Sequence, residues 1–355
     1  MSRADRIVGS FEQAGIDLLL ITHTTNLRYV TGFSGSNGMA VLGAEVRRFV
    51  TDFRYVERAR QEVVSFDREQ APQDFVGALG DGWPPGELRL GFEDEHVSVK
   101  QHARLRQIIP DRIELVPAGG LVEAERAVKD PTELVAIRSA ARIVDEVYGW
   151  IVERGLVGRT EREVALTAEH EMRLRGADGP SFPSIVASAE HGALPHAEPR
   201  DVPIAADTLV TIDMGARVDG YCSDCTRTFA TGRLPEPLDR LHGLVLDAQQ
   251  IALDAVRPGR TGREVDAIAR DFIAAAGHGE HFGHGLGHGV GLDIHEAPRL
   301  ARSGTDALRA GNVVTVEPGI YVAGLSGVRI EDLALVTEDG REVLSSFPKA
   351  LITVH

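Results

Sequence analysis

Through the first 120 residues short apolar runs alternate with polar, glycine-bearing turns, which is the pattern of brief strands separated by modest helices. Asp17–Thr22, Met39–Gly43, Val46–Thr51 and Leu88–Phe92 read as strands, while Arg3–Ala14 and Arg54–Val63 carry helical spacing. The stretch Gly32-Phe-Ser-Gly35-Ser-Asn-Gly38 lacks dinucleotide-binding spacing and reads as a turn. Pro117-Ala-Gly-Gly120 breaks the pattern. Asp130-Pro-Thr-Glu133 restarts it with a capping Asp, Pro at the first helical position and Glu at the third. Leu134, Ile137, Val144, Val147 and Ile151 then follow on one helical stripe. A boundary between 118 and 130 is expected.

Beyond it the chain echoes itself. Gly158-Arg-Thr-Glu-Arg-Glu-Val164 recurs as Gly259-Arg-Thr-Gly-Arg-Glu-Val265, and both read as capping boxes that open helices. His196-Ala-Glu-Pro-Arg200 recurs as His295-Glu-Ala-Pro-Arg299, and Val210-Thr-Ile-Asp213 as Val314-Thr-Val-Glu317. The offsets are 101, 99 and 104 residues. Shared cap chemistry explains the first match alone. Three matches in one order point to two similar halves.

Each half follows its strand-end acid with another: Asp213 with Asp224, and Glu317 with Glu331. If the halves pack about a pseudo-twofold axis, four carboxylates converge. Like charges so close stay ionised only where cations neutralise them, and two divalent ions supply the balancing charge. A single acid would be read as a solvated turn residue. The repeat argues against that.

The window His278–His295 holds five of the 13 histidines, where even scatter would put about 0.7. In His281-Phe-Gly-His284-Gly-Leu-Gly-His288-Gly-Val-Gly-Leu-Asp-Ile-His295 glycine alternates with histidine, which suits extended backbone facing a crowded cleft. His284, His288 and His295 are the candidates, with His278 and His281 as loop residues beside the site. Arg329, two residues before Glu331, would share its face on a strand, either as a salt bridge orienting Glu331 or as a substrate contact.

Composition narrows the class. There are 38 Lys and Arg against 53 Asp and Glu, a net charge of −15, which argues against nucleic acid as a partner. No apolar run reaches membrane-spanning length, and Asp5 and Glu12 interrupt the region where a signal peptide needs an apolar core, so a cytoplasmic protein without a membrane partner is expected. Cys222 and Cys225 are the two cysteines; their surroundings read as a strand that sends them to opposite faces, as packing residues rather than a dithiol. H-E-x-x-H, Gly-x-Ser-x-Gly and the phosphate-loop motif are all missing.

Asp213, Asp224, His288, Glu317 and Glu331, in this order and spacing, resemble the metal-binding set of the pita-bread metallopeptidases, which include methionine aminopeptidase, aminopeptidase P, prolidase and creatinase. The resemblance implies an α+β chain, with a pseudo-twofold pita-bread domain over 126–355 and a mixed α/β creatinase-type domain over 1–122. It implies that Asp213 chelates one metal, that Asp224 and Glu331 bridge both, and that His288 and Glu317 hold the second. A complete ligand set argues against a metal-free hydrolase or a binding protein that keeps only the fold. His284 and Arg329 match the proline-specific branch, and His196 matches a histidine near the substrate's amine end. The segment Asn26-Leu-Arg-Tyr-Val-Thr-Gly-Phe-Ser-Gly35 looks most like small bacterial aminopeptidases P.

The expectation is therefore an aminopeptidase P acting on proline-containing peptides, with prolidase, restricted to Xaa-Pro dipeptides, as the alternative. A metal-bridging hydroxide would attack, Glu317 would serve as acid/base, His295 would help stabilise the oxyanion, and His284 and His196 would orient substrate or relay a proton. The carboxylate-rich set favours Mn²⁺, with Co²⁺ as an in vitro substitute and Zn²⁺ disfavoured. A homodimer is implied by the resemblance alone. Asp52, Phe53 and Tyr55 either reach a neighbouring subunit or form a surface turn.

Overall fold

The computed structural model describes residues 1–72 and 74–355, which divide into two units, Met1–Arg126 and Ala127–His355. In the first, six strands form one sheet in the order Asp67–Gln70, Arg47–Thr51, Gly38–Gly43, Leu18–Ile21, Leu88–Phe92, Ile113–Pro117. Leu18–Ile21 pairs antiparallel with Gly38–Gly43 and parallel with Leu88–Phe92. All four of its residues are buried, which explains a continuous apolar run in place of alternation. Its following helix, Thr24–Thr31, has no capping side chain of its own. The buried carboxylate of Glu93 caps it from the end of the neighbouring strand, accepting from the backbone nitrogens of Thr22 at 2.6 Å and His23 at 2.7 Å.

Two of the expected helices differ in detail. Arg3–Ala14 is two pieces, Arg3–Val8 and Phe11–Ala14, because the Ser10 hydroxyl donates to the Ile7 carbonyl and competes with the helical ladder. Arg54–Val63 starts as the 3₁₀ turn Phe53–Tyr55 and becomes α-helical over Val56–Glu62. Asp52 starts that turn by accepting from the Arg54 backbone nitrogen at 2.8 Å, and Phe53 stands exposed on it.

The second unit contains the duplication. Its first half runs through helices Pro131–Arg154 and Glu161–Leu174, then the antiparallel strands Ile185–Ser188, Leu209–Met214 and Cys225–Ala230. Its second half runs through Glu236–Ala255 and Gly262–Ala275, then Gly287–Gly289, Glu296–Leu300, Val313–Val316 and Asp332–Val336. Thr160 and Thr261 both cap in reciprocal boxes with Glu163 and Glu264. The resemblance extends to the backbone: Thr160 bridges Pro203 as Thr261 bridges Ala307, and Gly158 donates to Ile204 as Gly259 donates to Leu308. Each half has its own apolar core. Val144, Val147, Val210, Ile212 and Phe229 pack in the first, and Val245, Val265, Ile273, Val314 and Val316 in the second.

In each half a small hairpin separates the acid-bearing strand from its return: Ala216–Val218 with Tyr221–Cys222, and Gly319–Val322 with Ser326–Arg329. The strand expected around the cysteines is therefore interrupted at Ser223 and Asp224. Cys222 packs with Ala136, Ile137 and Val290, and Cys225 with the first half's core. Both thiols are free, and burial raises both pKa values, Cys222 to about 11.

Because the two caps are built alike, Thr160→Ala and Thr261→Ala should destabilise the chain by similar amounts, about 1 kcal/mol each. Urea unfolding of the two variants measures it, and a large inequality would show that the repeated boxes bear unequal loads.

Candidate metal centre

The duplicated strand–hairpin–strand unit sets the acids. Asp213 lies near the end of Leu209–Met214, opposite Thr226, and Asp224 immediately precedes the return strand. In the second half Glu317 follows Val313–Val316, and Glu331 immediately precedes Asp332–Val336. Threonines of the first half join the two: Thr226 Oγ1 donates to Glu331 Oε2 at 2.7 Å, Thr228 Oγ1 to the Arg329 carbonyl at 2.9 Å, and Thr211 Oγ1 to the Gly327 carbonyl at 3.2 Å. On the alternate face Arg227 forms a buried 2.9 Å pair with Asp332, also across the halves.

The result is a gathering of acids. Donor oxygens of Asp213, Asp224 and Glu331 lie within 4.8 Å of one another. His288 Nε2 lies 3.2 Å from Glu317 Oε1 and 3.6 Å from Asp224 Oδ2. Burial, reinforced by the neighbouring acids, pushes the Asp224 and Glu331 carboxyls well above the usual range, and Asp213 rises for the same first reason. Burial would raise Glu317 too, but the hydrogen bond and charge of His288 outweigh it and bring the carboxyl down to about 2. The His288 ring rises, since its contact with Glu317 outweighs the cost of burying its charge.

These residues fit divalent ions. Asp213 Oδ1, Asp224 Oδ1 and Glu331 Oε1 are buried oxygens without a hydrogen-bond partner among the described residues, a costly state that cation ligation relieves. His288 Nδ1 faces the Gly289 carbonyl at 3.1 Å, which assigns its proton there and turns Nε2 towards the acids, as a ligand requires. The glycines beside it have a packing reason. A Cβ on Gly287 would lie 2.1 Å from the Thr315 carbonyl oxygen, and one on Gly289 2.1 Å from that of Ala297. Only three residues of the Gly/His run, Gly287–Gly289, form a strand.

A cavity of about 540 Å³ opens onto this cluster. Asp213, Asp224, His288 and Glu317 line it, as do His196, His284, His295 and Arg329, while Glu331 lies buried beneath. His278 and His281 sit away from it, their Nδ1 atoms 3.2 Å apart. Arg329 does not pair with Glu331 as its spacing suggested. Its Nη2 reaches across to Asp213 Oδ2 at 2.7 Å, and Thr226 carries the connection to Glu331. Burial lowers the pKa of His284, and its Nδ1 faces the Gly285 carbonyl at 2.8 Å, so the neutral ring accepts from Tyr321 Oη at Nε2, 3.0 Å away. Tyr321 in turn accepts from Arg329 Nη1 at 2.8 Å.

Tyr321, Thr226 and Arg299 were missed by sequence reasoning. Tyr321 had one usable signal, a hairpin strand opposite the one carrying Arg329. Thr226 faces Asp213 in the ladder, and Arg299 closes the recurring His-x-x-Pro-Arg motif.

Comparison with known proteins agrees with this architecture. Residues 135–338 match the model of Metallopeptidase family M24, and residues 3–128 that of the Creatinase/Prolidase N-terminal domain. A protein named Xaa-Pro dipeptidase from Pyrococcus horikoshii is 34% identical over 99% of this chain and 98% of its own. A solved Xaa-Pro dipeptidase from Bacillus anthracis superposes with a TM-score of 0.94 at 38% identity, covering 99% of both chains. A solved X-Pro aminopeptidase from Thermotoga maritima gives 0.90 at 33%, covering 99% of this chain and 100% of that one. The expected pita-bread and creatinase-type architecture is thus the observed one, and the chain belongs to metallopeptidase family M24.

Proposed function

We propose that this peptidase is a metal-dependent Xaa-Pro dipeptidase of prolidase type. The sequence ranked aminopeptidase P first and prolidase second, and two considerations reverse that order. Both the Pyrococcus and Bacillus relatives carry the dipeptidase name. The observation that carries the reading is Arg299, an exposed side chain on the cavity wall with no ion pair or hydrogen bond among the described residues. A dipeptide presents a free carboxylate two bonds from its scissile nitrogen, and an unpaired guanidinium is the side chain that binds it best. The aminopeptidase name of the Thermotoga structure favours a second reading, with longer Xaa-Pro peptides as substrates.

Asp213, Asp224, His288, Glu317 and Glu331 would hold two divalent ions, with Mn²⁺ favoured by four carboxylates against one imidazole. Those ions, when bound, would supply a water that ionises near neutral pH and positive charge towards the scissile carbonyl. The chain's own groups do the rest. Glu317, ionised and facing the cavity, can take up a proton at its carboxylate. Tyr321 keeps the His284 ring in one orientation, and Arg329 keeps Tyr321 in place. The nitrogen leaving from an Xaa-Pro bond carries no hydrogen and must gain one; His196, on the cavity wall, is the imidazole left to relay it, while His284, with both ring nitrogens engaged, would orient the substrate. His295, edge-on to His288 at 4.3 Å between ring centres, would donate to the developing oxyanion.

Removing one acid should have opposite effects on folding and function. Asp224→Asn relieves repulsion in the metal-free chain, so its Tm without metal should equal or exceed the parent's. Metal analysis should show depleted Mn²⁺, and Xaa-Pro hydrolysis should fall to background. Parental turnover in that variant would remove Asp224 from the centre.

A peptide panel with Mn²⁺ tests specificity: an Xaa-Pro dipeptide, its C-terminal amide, an Xaa-Pro-Xaa tripeptide and a Met-Ala peptide. The free dipeptide should be preferred, and Arg299→Leu should raise its KM about 10- to 100-fold with little change for the amide. Preference for the tripeptide would establish the aminopeptidase reading.

A further inference from the structure

We propose that Glu161, which lies outside the cavity, is the positioning residue for His196, acting through the segment 189–200 that carries it. The inference rests on the reading of His196 as the imidazole that relays a proton. Glu161 opens helix Glu161–Leu174, directly after the capping Thr160, and its side chain is fully buried. Its carboxylate grips the segment at both ends. Oε1 accepts from the Ser188 nitrogen at 2.9 Å and the Ser188 hydroxyl at 2.8 Å, where strand Ile185–Ser188 ends. Oε2 accepts from the Arg200 backbone nitrogen at 3.1 Å and from its Nε at 3.0 Å, while Arg200 Nη2 reaches Oε1 at 3.1 Å. His191 Nδ1, inside the segment, lies 2.9 Å from Oε2. Burial alone would raise this carboxyl, but the Arg200 guanidinium and the Ser188 hydrogen bonds outweigh it and hold the acid ionised below its ordinary range.

Between these ends the segment has little freedom left. Ala189 starts it at a φ of 52°, a left-handed conformation that a residue other than glycine keeps only where its surroundings enforce it. Ser188, immediately before, is the residue that Glu161 holds twice. Gly192 packs on the hairpin strand Ser326–Arg329, so closely that a Cβ on Gly327 would lie 1.9 Å from the Gly192 carbonyl oxygen. The Pro195 carbonyl accepts from Arg329 Nη1 at 3.2 Å, and residues 195–199 then form part of the cavity wall. His196 is exposed there, with no hydrogen bond or ion pair of its own among the described residues. Its place is set by the backbone on either side, and that backbone is what Glu161 fixes.

The second half closes the equivalent junction without an acid. Gly262 stands where the first half has Glu161, one residue after the capping threonine. A Cβ on Gly262 would lie 1.9 Å from the Arg299 carbonyl oxygen, so direct backbone packing does the joining there. The repeated unit therefore folds with no carboxylate at this position. Arg200 and Arg299 end the two copies of the recurring motif, yet only Arg200 is drawn to a buried acid. One arginine anchors the cavity wall, and the other stays free on it.

The test uses the full chain loaded with Mn²⁺ and an Xaa-Pro dipeptide. Glu161→Gln should lower kcat about 10- to 100-fold with KM changed less than about threefold, since misplacing a reacting group by about 1 Å carries a loss of that order. Arg200→Gln leaves the buried acid its Ser188 and His191 contacts and should give a smaller loss in the same direction. Metal content should stay at the parental value in both variants. In a double-mutant cycle, Glu161→Gln should reduce kcat no further once His196→Ala is present. The same cycle run with Arg200→Gln decides the case should Glu161→Gln fail to fold. Metal loss in a folded variant, or losses that multiply in the double variant while His196→Ala alone is impaired, would overturn the proposal and leave Glu161 as a structural ion pair. Parental turnover by His196→Ala would remove the relay role of His196 and this proposal with it.

Discussion

The second unit is organised around an electrostatic difficulty: four carboxylates gathered at the floor of a cavity, three of them buried. Asp213, Asp224 and Glu331 each keep a buried oxygen with no hydrogen-bond partner among the described residues, and burial alone makes their ionised forms costly. The chain supplies only partial relief. Arg329 neutralises Asp213, and His288 draws Glu317 into a stable ionised state. Thr226 gives Glu331 one hydrogen bond. Were two divalent ions present and His288 neutral, the four acids, Arg329 and the ions would sum to one positive charge. That balance suits a cavity receiving an anionic peptide end.

What brings the acids together is a symmetric scaffold joined asymmetrically. Both halves place one carboxylate where a strand ends and another where the next begins, separated by a hairpin. The junction is a set of threonine hydroxyls from the first half bonded to backbone and side chains of the second, with the Arg227–Asp332 pair behind it. Breaking that buried pair would leave a charge uncompensated, so the geometry of the acids and the integrity of the core are linked. The chemistry departs from the symmetry. Ser188 pairs with Val210 as Gly289 pairs with Val314, so the register sets Ala187 against His288. Two residues before the second acid, Cys222 stands where the other half has Arg329. One half thus contributes acids and apolar packing, and the other adds the imidazole and the guanidinium.

The acids were legible in the sequence because each occupies a strand end whose context repeats about 100 residues later, and helix caps obey rules local to four residues. Contacts across the halves were not legible. Thr226 meets Glu331 across 105 positions and Arg329 meets Asp213 across 116, and the sequence around each residue carries no trace of the other. The pairing of Arg329 with Glu331 was not met for this reason: the spacing counted the acid nearest in sequence and could not see Asp213, while the alternative role, a contact in the cleft, stays open because Arg329 lines the cavity. The broken helix at Gly9-Ser10 shows the converse, a local hydroxyl competing with the backbone inside a pattern that otherwise reads as continuous.

Choosing between dipeptides and longer peptides depends on a different part of the site from the one that cleaves. On the proposed reading the acids, through any metal they hold, and the imidazoles would act on the amide bond and would not register how far the chain continues past proline. Discrimination must come from the cavity wall, where charge is inexpensive to place and its partner is supplied by substrate. Arg299 sits on strand Glu296–Leu300, four residues after His295, and its side chain has no ion pair among the described residues. A carboxylate directly beyond the scissile bond would satisfy that guanidinium, whereas the amide of a continuing chain would leave it unpaired while displacing its water. Specificity of this kind needs no altered catalytic geometry, so two enzymes could share the same set of acids and imidazoles and still differ in substrate length through one cation.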